Sequence, residues 1–320
     1  MKTPGDRRDF LKGATAAVAA ATGWVATSQA QTSTARPSSR PVRVLVWDER
    51  QPKQKEAYPH FLGNQIAGHL RKQTGMEVKS VALDDPEQGL AETTLATTDV
   101  LIWWGHVRQG EVTPETGRRI VKRIVEGSLS LVALHSAHWS TPFIEAMNER
   151  SRRDVAKAFA PVDGGTLEVR EIAVPPRSQL PKREDRRTPY TDVRKFPDGS
   201  RKVDLHLPLC VFPSYRGDGK PSEVSVLLPK HPIAEGLPSR FKIAQTEMYD
   251  EPFHVPEPDE VVLEECWQPG EWFRSAMVWK VGRGRVFYFR PGHETFPVYF
   301  EENPLRVLTN AVRWLGSRPS

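Results

Sequence analysis

Three runs in this chain are apolar at almost every position: VRVLVW (Val42–Trp47), DVLIWWG (Asp99–Gly105) and LSLVALH (Leu129–His135). A strand with one wet face alternates apolar and polar residues. A run with no polar face must be covered on both sides, which is the condition of strands in a parallel sheet. The intervening segments have helical spacing. From about His60 to Gln73, Leu62, Ile66 and Leu70 share a face, and Gly75 is a stop. Farther on, Thr113 caps a helix with Pro114 at its first position, Ile120, Val121, Ile124 and Val125 line it, and Gly127 ends it. MEVKSVAL, between them, reads as a further strand. The alternation predicts an α/β fold with a mostly parallel central sheet. In such sheets ligands gather beyond the carboxyl ends of the strands, near the point where strand order reverses.

The C-terminal part continues in kind. DEVVLEECW reads as a strand, SAMVWK–VGRG–RVFYFR as a hairpin with glycine in its turn, and Asn303–Pro304 open a last helix carrying Leu308, Ala311, Val312 and Leu315. Between Asn148 and Pro229 the pattern breaks. GTLEVREI and SEVSVLL look like strands, but the 28-residue stretch from Pro175 to Lys202 is rich in proline and charge and reads as a long surface excursion.

The first 30 residues are set apart. Arg7–Arg8 with Phe10 and Leu11, an alanine-rich mildly apolar stretch and SQA ending at Ala30 are the parts of a twin-arginine export signal. Residues 31–41 are a linker by composition, and residues 42–317 are the folded domain, with an insertion at about 148–229. This organisation implies a periplasmic or secreted protein that engages the twin-arginine machinery. The signal is too weakly hydrophobic to be a stable membrane span, and nothing later resembles one. The net charge of +5 does not imply a nucleic-acid partner, because the basic residues form no helical stripe. Cys210 and Cys266 could pair in an oxidising compartment, but nothing in the sequence places them together.

Histidines mark the strand exits. His106 follows LIWWG, His135 and His138 follow LSLVAL, and His293, with Glu294, follows RVFYFRPG. A parallel sheet collects its site at such exits, and neutral imidazole is the commonest metal ligand. His106, His135 and His138 are therefore candidate ligands for a divalent ion, zinc foremost, which would polarise a carbonyl or activate a water. The same rings could instead hold a sugar or move protons. His293 is the candidate proton carrier, oriented by Glu294 or Glu251, with His135 as a further catalytic candidate. Glu247, Arg290 and Trp104 are candidates for substrate contact, although core packing suits Trp104 as well. Ser136 lacks the flanking glycines of a nucleophile elbow. No glycine-rich phosphate loop follows a strand, so no nucleotide cofactor is expected.

VLIWWGH, ALHSAHWS, HPIAEGL, EMYDEPFHVPEPDEVV, GEWFRSAMVWKVGRGRVFYFRPGHETFPVYF and NAVRWL together resemble the ThuA-like family, the trehalose-utilisation proteins. The resemblance runs from about Val42 to Leu315 outside the insertion. It implies a flavodoxin-like sandwich similar to class I glutamine amidotransferases. Those enzymes carry a cysteine where this chain has His135–Ser136, so no glutaminase activity is implied. The resemblance further implies a role in catabolism of trehalose or related disaccharides and keto-sugars, by a metal- or histidine-assisted isomerase, lyase or hydrolase; the alternative is a non-catalytic sugar-binding module. By motif, His106, His135, His138, His293 and Glu294 carry over as site residues, with Glu247 and Glu251 behind them. The family often reads WWGHxxH, whereas this chain has Gln109 at the second histidine's place.

Overall fold

The computed structural model describes residues 40–161, 164–174 and 180–317. The expected export signal and most of the expected linker lie outside the described residues. The chain from residue 40 builds a nine-stranded sheet in the order β10-β9-β12-β13-β14-β4-β3-β1-β2. Its parallel half consists of β1 (Val42–Asp48), β2 (Met76–Ala82), β3 (Val100–Trp104), β4 (Ser130–Leu134) and β14 (Gly284–Phe289). Antiparallel pairing extends it through β13 (Trp272–Val281), β12 (Glu260–Cys266), β9 (Ser222–Val226) and β10 (Arg240–Ile243). All the strands except β9 and β13 point the same way, as expected for a mostly parallel sheet. The order β2-β1-β3-β4-β14 is that of flavodoxin-like folds, with the reversal between β1 and β3.

Side-chain alternation supplies two cores. Val44, Val46, Ile102, Trp104, Val132 and Leu134 face α1 (Leu62–Leu70) and α5 (Glu302–Gly316). Leu45, Trp47, Leu101, Trp103, Leu131 and Ala133 face the other way. They meet α2 (Glu92–Ala96), α3 (Pro114–Val125) and α4 (Thr141–Ala158). Trp47 and Trp103 stack there with centroids 3.8 Å apart. Each strand is thus buried on both faces, which is why the sequence shows continuous apolar runs.

The middle segment departs from the sequence reading in two ways. The regular structure does not break at Asn148, because α4 runs on to Ala158. The Ser140 hydroxyl caps it, and Phe143, Ala146, Met147 and Val155 keep its apolar face. The charged stretch is also not all irregular. It forms β6 (Tyr190–Lys195) and leads into β7 (Arg201–His206), which pair with β5 (Leu167–Ile172) in a separate three-stranded sheet. GTLEVREI, expected as a strand, is β5; salt bridges such as Arg170–Asp204 and Lys202–Glu168 carry the sheet's polar face, and β6 and β7 escaped the hydrophobic pattern. A short pair, β8 (Ser214–Arg216) with β11 (Met248–Asp250), completes the strands. Cys210 is buried, Cys266 is exposed, and no disulfide joins them. No helix among the described residues is long and apolar enough to cross a membrane.

Candidate active site

Register sets the site. Asp48 is level with Trp104, Trp104 with Leu134, and Leu134 with Phe289. The chain therefore leaves β1, β3, β4 and β14 at one height, and Glu49, Gly105, His135 and Arg290 begin four loops along one rim. A cavity of about 610 Å³ opens there, lined by His106, Ser136, His138, Trp139, Glu247, Tyr249 and His293, together with Leu180, Val211, Phe212 and Tyr215. Its volume lies in the range of small-molecule sites, about 300–1,000 Å³.

Each imidazole is held by a different device. His106 turns Nδ1 onto the Glu294 carboxylate, 2.9 Å away. The second Glu294 oxygen takes an N–H from Gln51 at 2.8 Å. Burial alone would lower the His106 pKa, but the hydrogen bond and charge of Glu294 outweigh it and raise it. Burial likewise opposes ionisation of Glu294, yet His106 and His293 bring its carboxyl down to about 2. The loop carrying His106 is itself anchored by Glu49. Its fully buried carboxylate accepts the backbone N–H groups of Val107, Arg108 and Gln109 at 2.8–2.9 Å.

His135 has φ +51°, an uncommon conformation for a residue with a side chain, and opens a single 3-10 turn, His135–Trp139. Its Nδ1 lies 2.8 Å from the Arg290 carbonyl. A carbonyl only accepts, so Nδ1 carries the hydrogen. Nε2 then faces Glu247 Oε2 at 3.0 Å, with the Tyr249 hydroxyl oxygen 3.1 Å away. Burial would raise the Glu247 pKa, but hydrogen bonding to His135 and the charges of His135, His293 and His106 lower it. His138, three residues on, donates Nδ1–H to the Cys210 carbonyl. Residues i and i+3 eclipse in a 3-10 turn, which brings both rings to the same side.

His293 stands between these groups, its ring 5.4 Å from that of His106 and 5.5 Å from that of His135. Its Nδ1 takes the Thr295 backbone N–H at 3.3 Å in one tautomer and gives its own hydrogen to the Thr295 hydroxyl at 2.9 Å in the other, which leaves Nε2 free. Burial first, then the charge of His135, lowers its pKa to about 4, so the ring is neutral at neutral pH. Two donor sets arise around it: His106, His293 and Glu294, and His135, Glu247 and His293, each with its ligand atoms within 4.8 Å of one another. The trio read from sequence, His106, His135 and His138, is not one of these sets. All three rings reach the rim, but His293 is the shared member and His138 belongs to neither.

Three sequence candidates are placed elsewhere. Trp104 is fully buried and donates its indole N–H to the Gly292 carbonyl at 2.9 Å, supporting the His293 loop from within the core. Arg290 is also fully buried. It pairs with the equally buried Glu265, and it hydrogen-bonds the Thr246 hydroxyl (2.8 Å) and the Glu247 carbonyl. It braces the segment that presents Glu247 rather than facing the cavity. Glu251 is engaged by Arg274 at 2.8 Å and by backbone N–H groups of Phe253 and Arg274, so it does not orient His293. Gln109 is buried too. It accepts the Trp103 indole N–H (3.1 Å) and donates to the Ser136 carbonyl (2.8 Å), tying the β3 exit to the β4 exit. Sequence reading missed Glu49, Gln51, Tyr249 and Phe212. For the first two, the strand-exit rule applied to DERQ after β1 was signal enough; Tyr249 and Phe212 reach the rim from distant loops and left none.

The trehalose utilisation family, ThuA, matches residues 43–315. The chain belongs to this family. Its role is accordingly carbohydrate-related. Among solved structures it is similar to a ThuA-like protein from Parabacteroides merdae, at 15% identity and a TM-score of 0.55, covering 87% of this chain and 90% of that one. It is similar also to a ThuA-like protein from Bacteroides uniformis, at 15% identity and a TM-score of 0.52, covering 88% and 94%. At that identity the likeness establishes the ThuA fold alone. No curated protein matches the sequence.

Proposed function

We propose that the rim cavity is a catalytic centre that moves a proton next to the carbonyl of a keto-sugar, an enolisation of isomerase or lyase type in disaccharide catabolism. The observation that carries this reading is the facing pair His106 and His293, with ring centroids 5.4 Å apart and oppositely tuned. Environments that push two titratable groups apart separate acid from base. His106, made more basic by Glu294, donates to the carbonyl oxygen. His293, neutral and with its hydrogen on Nδ1 toward the Thr295 hydroxyl, accepts the carbon-bound proton at Nε2, and the nearby Glu247 carboxylate stabilises the imidazolium that results. His135, whose ring also meets the Tyr249 hydroxyl, positions Glu247.

A divalent ion is the second reading, favoured by the donor set His135, Glu247 and His293. Two imidazoles and a carboxylate fit zinc. These residues would hold it, and its chemistry there would be polarisation of a sugar carbonyl. The arginine pair and the small residues before Gln31 support export to the periplasm, which cell fractionation of the tagged chain tests.

The enzymatic test is turnover of keto-disaccharides by the wild type, His293→Gln and Glu247→Gln. Loss of general acid–base catalysis lowers kcat by about 10²–10⁴-fold while sugar affinity is kept. Sugar binding without product from any keto-disaccharide identifies a binding module instead.

A further inference from the structure

The walls of the cavity come from two sources with different chemistry. The sheet rim and the β11 segment supply the polar residues, His106, Glu247, His293 and their neighbours. The segment 148–229 supplies Leu180, Val211, Phe212 and Tyr215, of which only Tyr215 carries a polar group, the hydroxyl at the end of its ring. They form a path outward. Tyr249, in contact with His135, stacks on Phe212 at 4.0 Å. Beyond the buried Phe212 and Val211 stand Leu180 and Tyr215, 43% and 59% exposed. Large apolar side chains left exposed around a cavity mouth mark a surface for a ligand. The charged side chains beside this mouth are already engaged. Arg183 pairs with Asp250, and Arg216 with Glu271 and Asp218.

A second sugar ring would bring several hydroxyls to this outer wall. Aliphatic Leu180 and Val211 and the ring of Phe212 offer them no hydrogen bonds, so burying them there is unfavourable. An apolar group loses nothing by the same burial and gains from removal of its surface from water. Resting on the proposed reading, in which the polar end takes the sugar, we infer that the substrate is a glycoside whose non-sugar part is apolar, aryl or alkyl, seated against the wall built by the 148–229 segment. That segment is then a specificity element for the leaving or attached group rather than a solvated insertion.

The experiment is calorimetric titration of the full chain with methyl and phenyl D-glucosides, both anomers, and with trehalose. The expected result is a phenyl glucoside that binds roughly tenfold or more tighter than its methyl counterpart and than trehalose. In the Leu180→Ala/Tyr215→Ala variant that ratio falls toward one while methyl glucoside affinity is unchanged. Both side chains are exposed, and an unchanged melting temperature checks folding. Trehalose binding as tightly as the phenyl glucoside, or a ratio that survives the double variant, overturns the inference. Turnover of keto-sugars without such a preference overturns it and leaves the proposed reaction standing. A preference abolished by the double variant, with no turnover of any keto-glycoside, supports the inference and removes the catalytic reading. Absence of binding by every glycoside overturns the inference, and turnover of keto-sugars then decides the proposed reaction.

Discussion

Replacement of Arg290 by methionine distinguishes a brace from a substrate ligand. In the native chain Arg290 and Glu265 are both fully buried and paired, and Arg290 also binds the Thr246 hydroxyl and the Glu247 carbonyl. Removing only the cation leaves a carboxylate buried without its charge partner, which costs about 3–5 kcal/mol. For a domain somewhat larger than 250 residues each kcal/mol moves Tm by about 2 °C, so Arg290→Met lowers Tm by roughly 6–10 °C. Adding Glu265→Leu removes the stranded charge. What remains is the loss of two hydrogen bonds, about 1 kcal/mol each, so the double variant recovers roughly half of the stability lost. The assay is urea denaturation followed by tryptophan fluorescence, with all four members of the cycle measured at one pH. A loss below about 1 kcal/mol in Arg290→Met, or a double variant no more stable than the single, refutes the buried brace.

Other outcomes follow from the same geometry. Burial holds the Asp48 carboxyl at about 6, above its ordinary 3.8, against hydrogen bonds from Arg50, Gln54 and Gly63. A raised carboxyl adds stability that is complete below pH 3.8 and lost as pH rises through 6, on the order of 3 kcal/mol; carboxyl ¹³C NMR should show its midpoint near 6, and a midpoint at or below 4 contradicts the burial argument. Gly292 has φ +120°, and a Cβ there would lie 2.6 Å from the Tyr299 ring, so Gly292→Ala is expected to cost about 2–4 kcal/mol and to displace His293; a variant of native stability refutes this. Glu49→Gln leaves a neutral acceptor for three backbone N–H groups and should weaken the His106 loop by about 1–3 kcal/mol, seen as faster amide exchange at Val107–Gln109. Unchanged exchange at those amides rejects the anchoring role.

The sheet was legible because burial on both faces writes itself as unbroken apolar runs, and the runs at Val42, Asp99 and Leu129 became three adjacent strands. The rim was legible because register follows from parallel pairing, which carried His106, His135, His138 and His293 to one end. Partner choice was not legible. Glu294 and Glu251 look alike beside their histidine or arginine in sequence, yet one meets His106 and the other Arg274, a matter of where distant loops return. Trp104 differs from a sugar-stacking tryptophan only in which face of β3 it occupies and what covers that face. The 148–229 segment showed β5 and β9 but hid β6 and β7, whose exposed faces are rich in charge, and hid its cavity wall because Leu180, Phe212 and Tyr215 are scattered among prolines and basic residues.

The most direct measurement is proton exchange at the substrate itself. A keto-disaccharide and a phenyl keto-glucoside are each incubated with the protein in D₂O, and the carbon next to the carbonyl is followed by proton NMR. Loss of that proton signal well above the buffer rate is expected in the wild type with at least one of the two substrates, and a rate reduced about 10²-fold or more in His293→Gln. Signals that decay no faster than in buffer with both substrates, or equally fast in both proteins, contradict an acid–base centre built on His106 and His293.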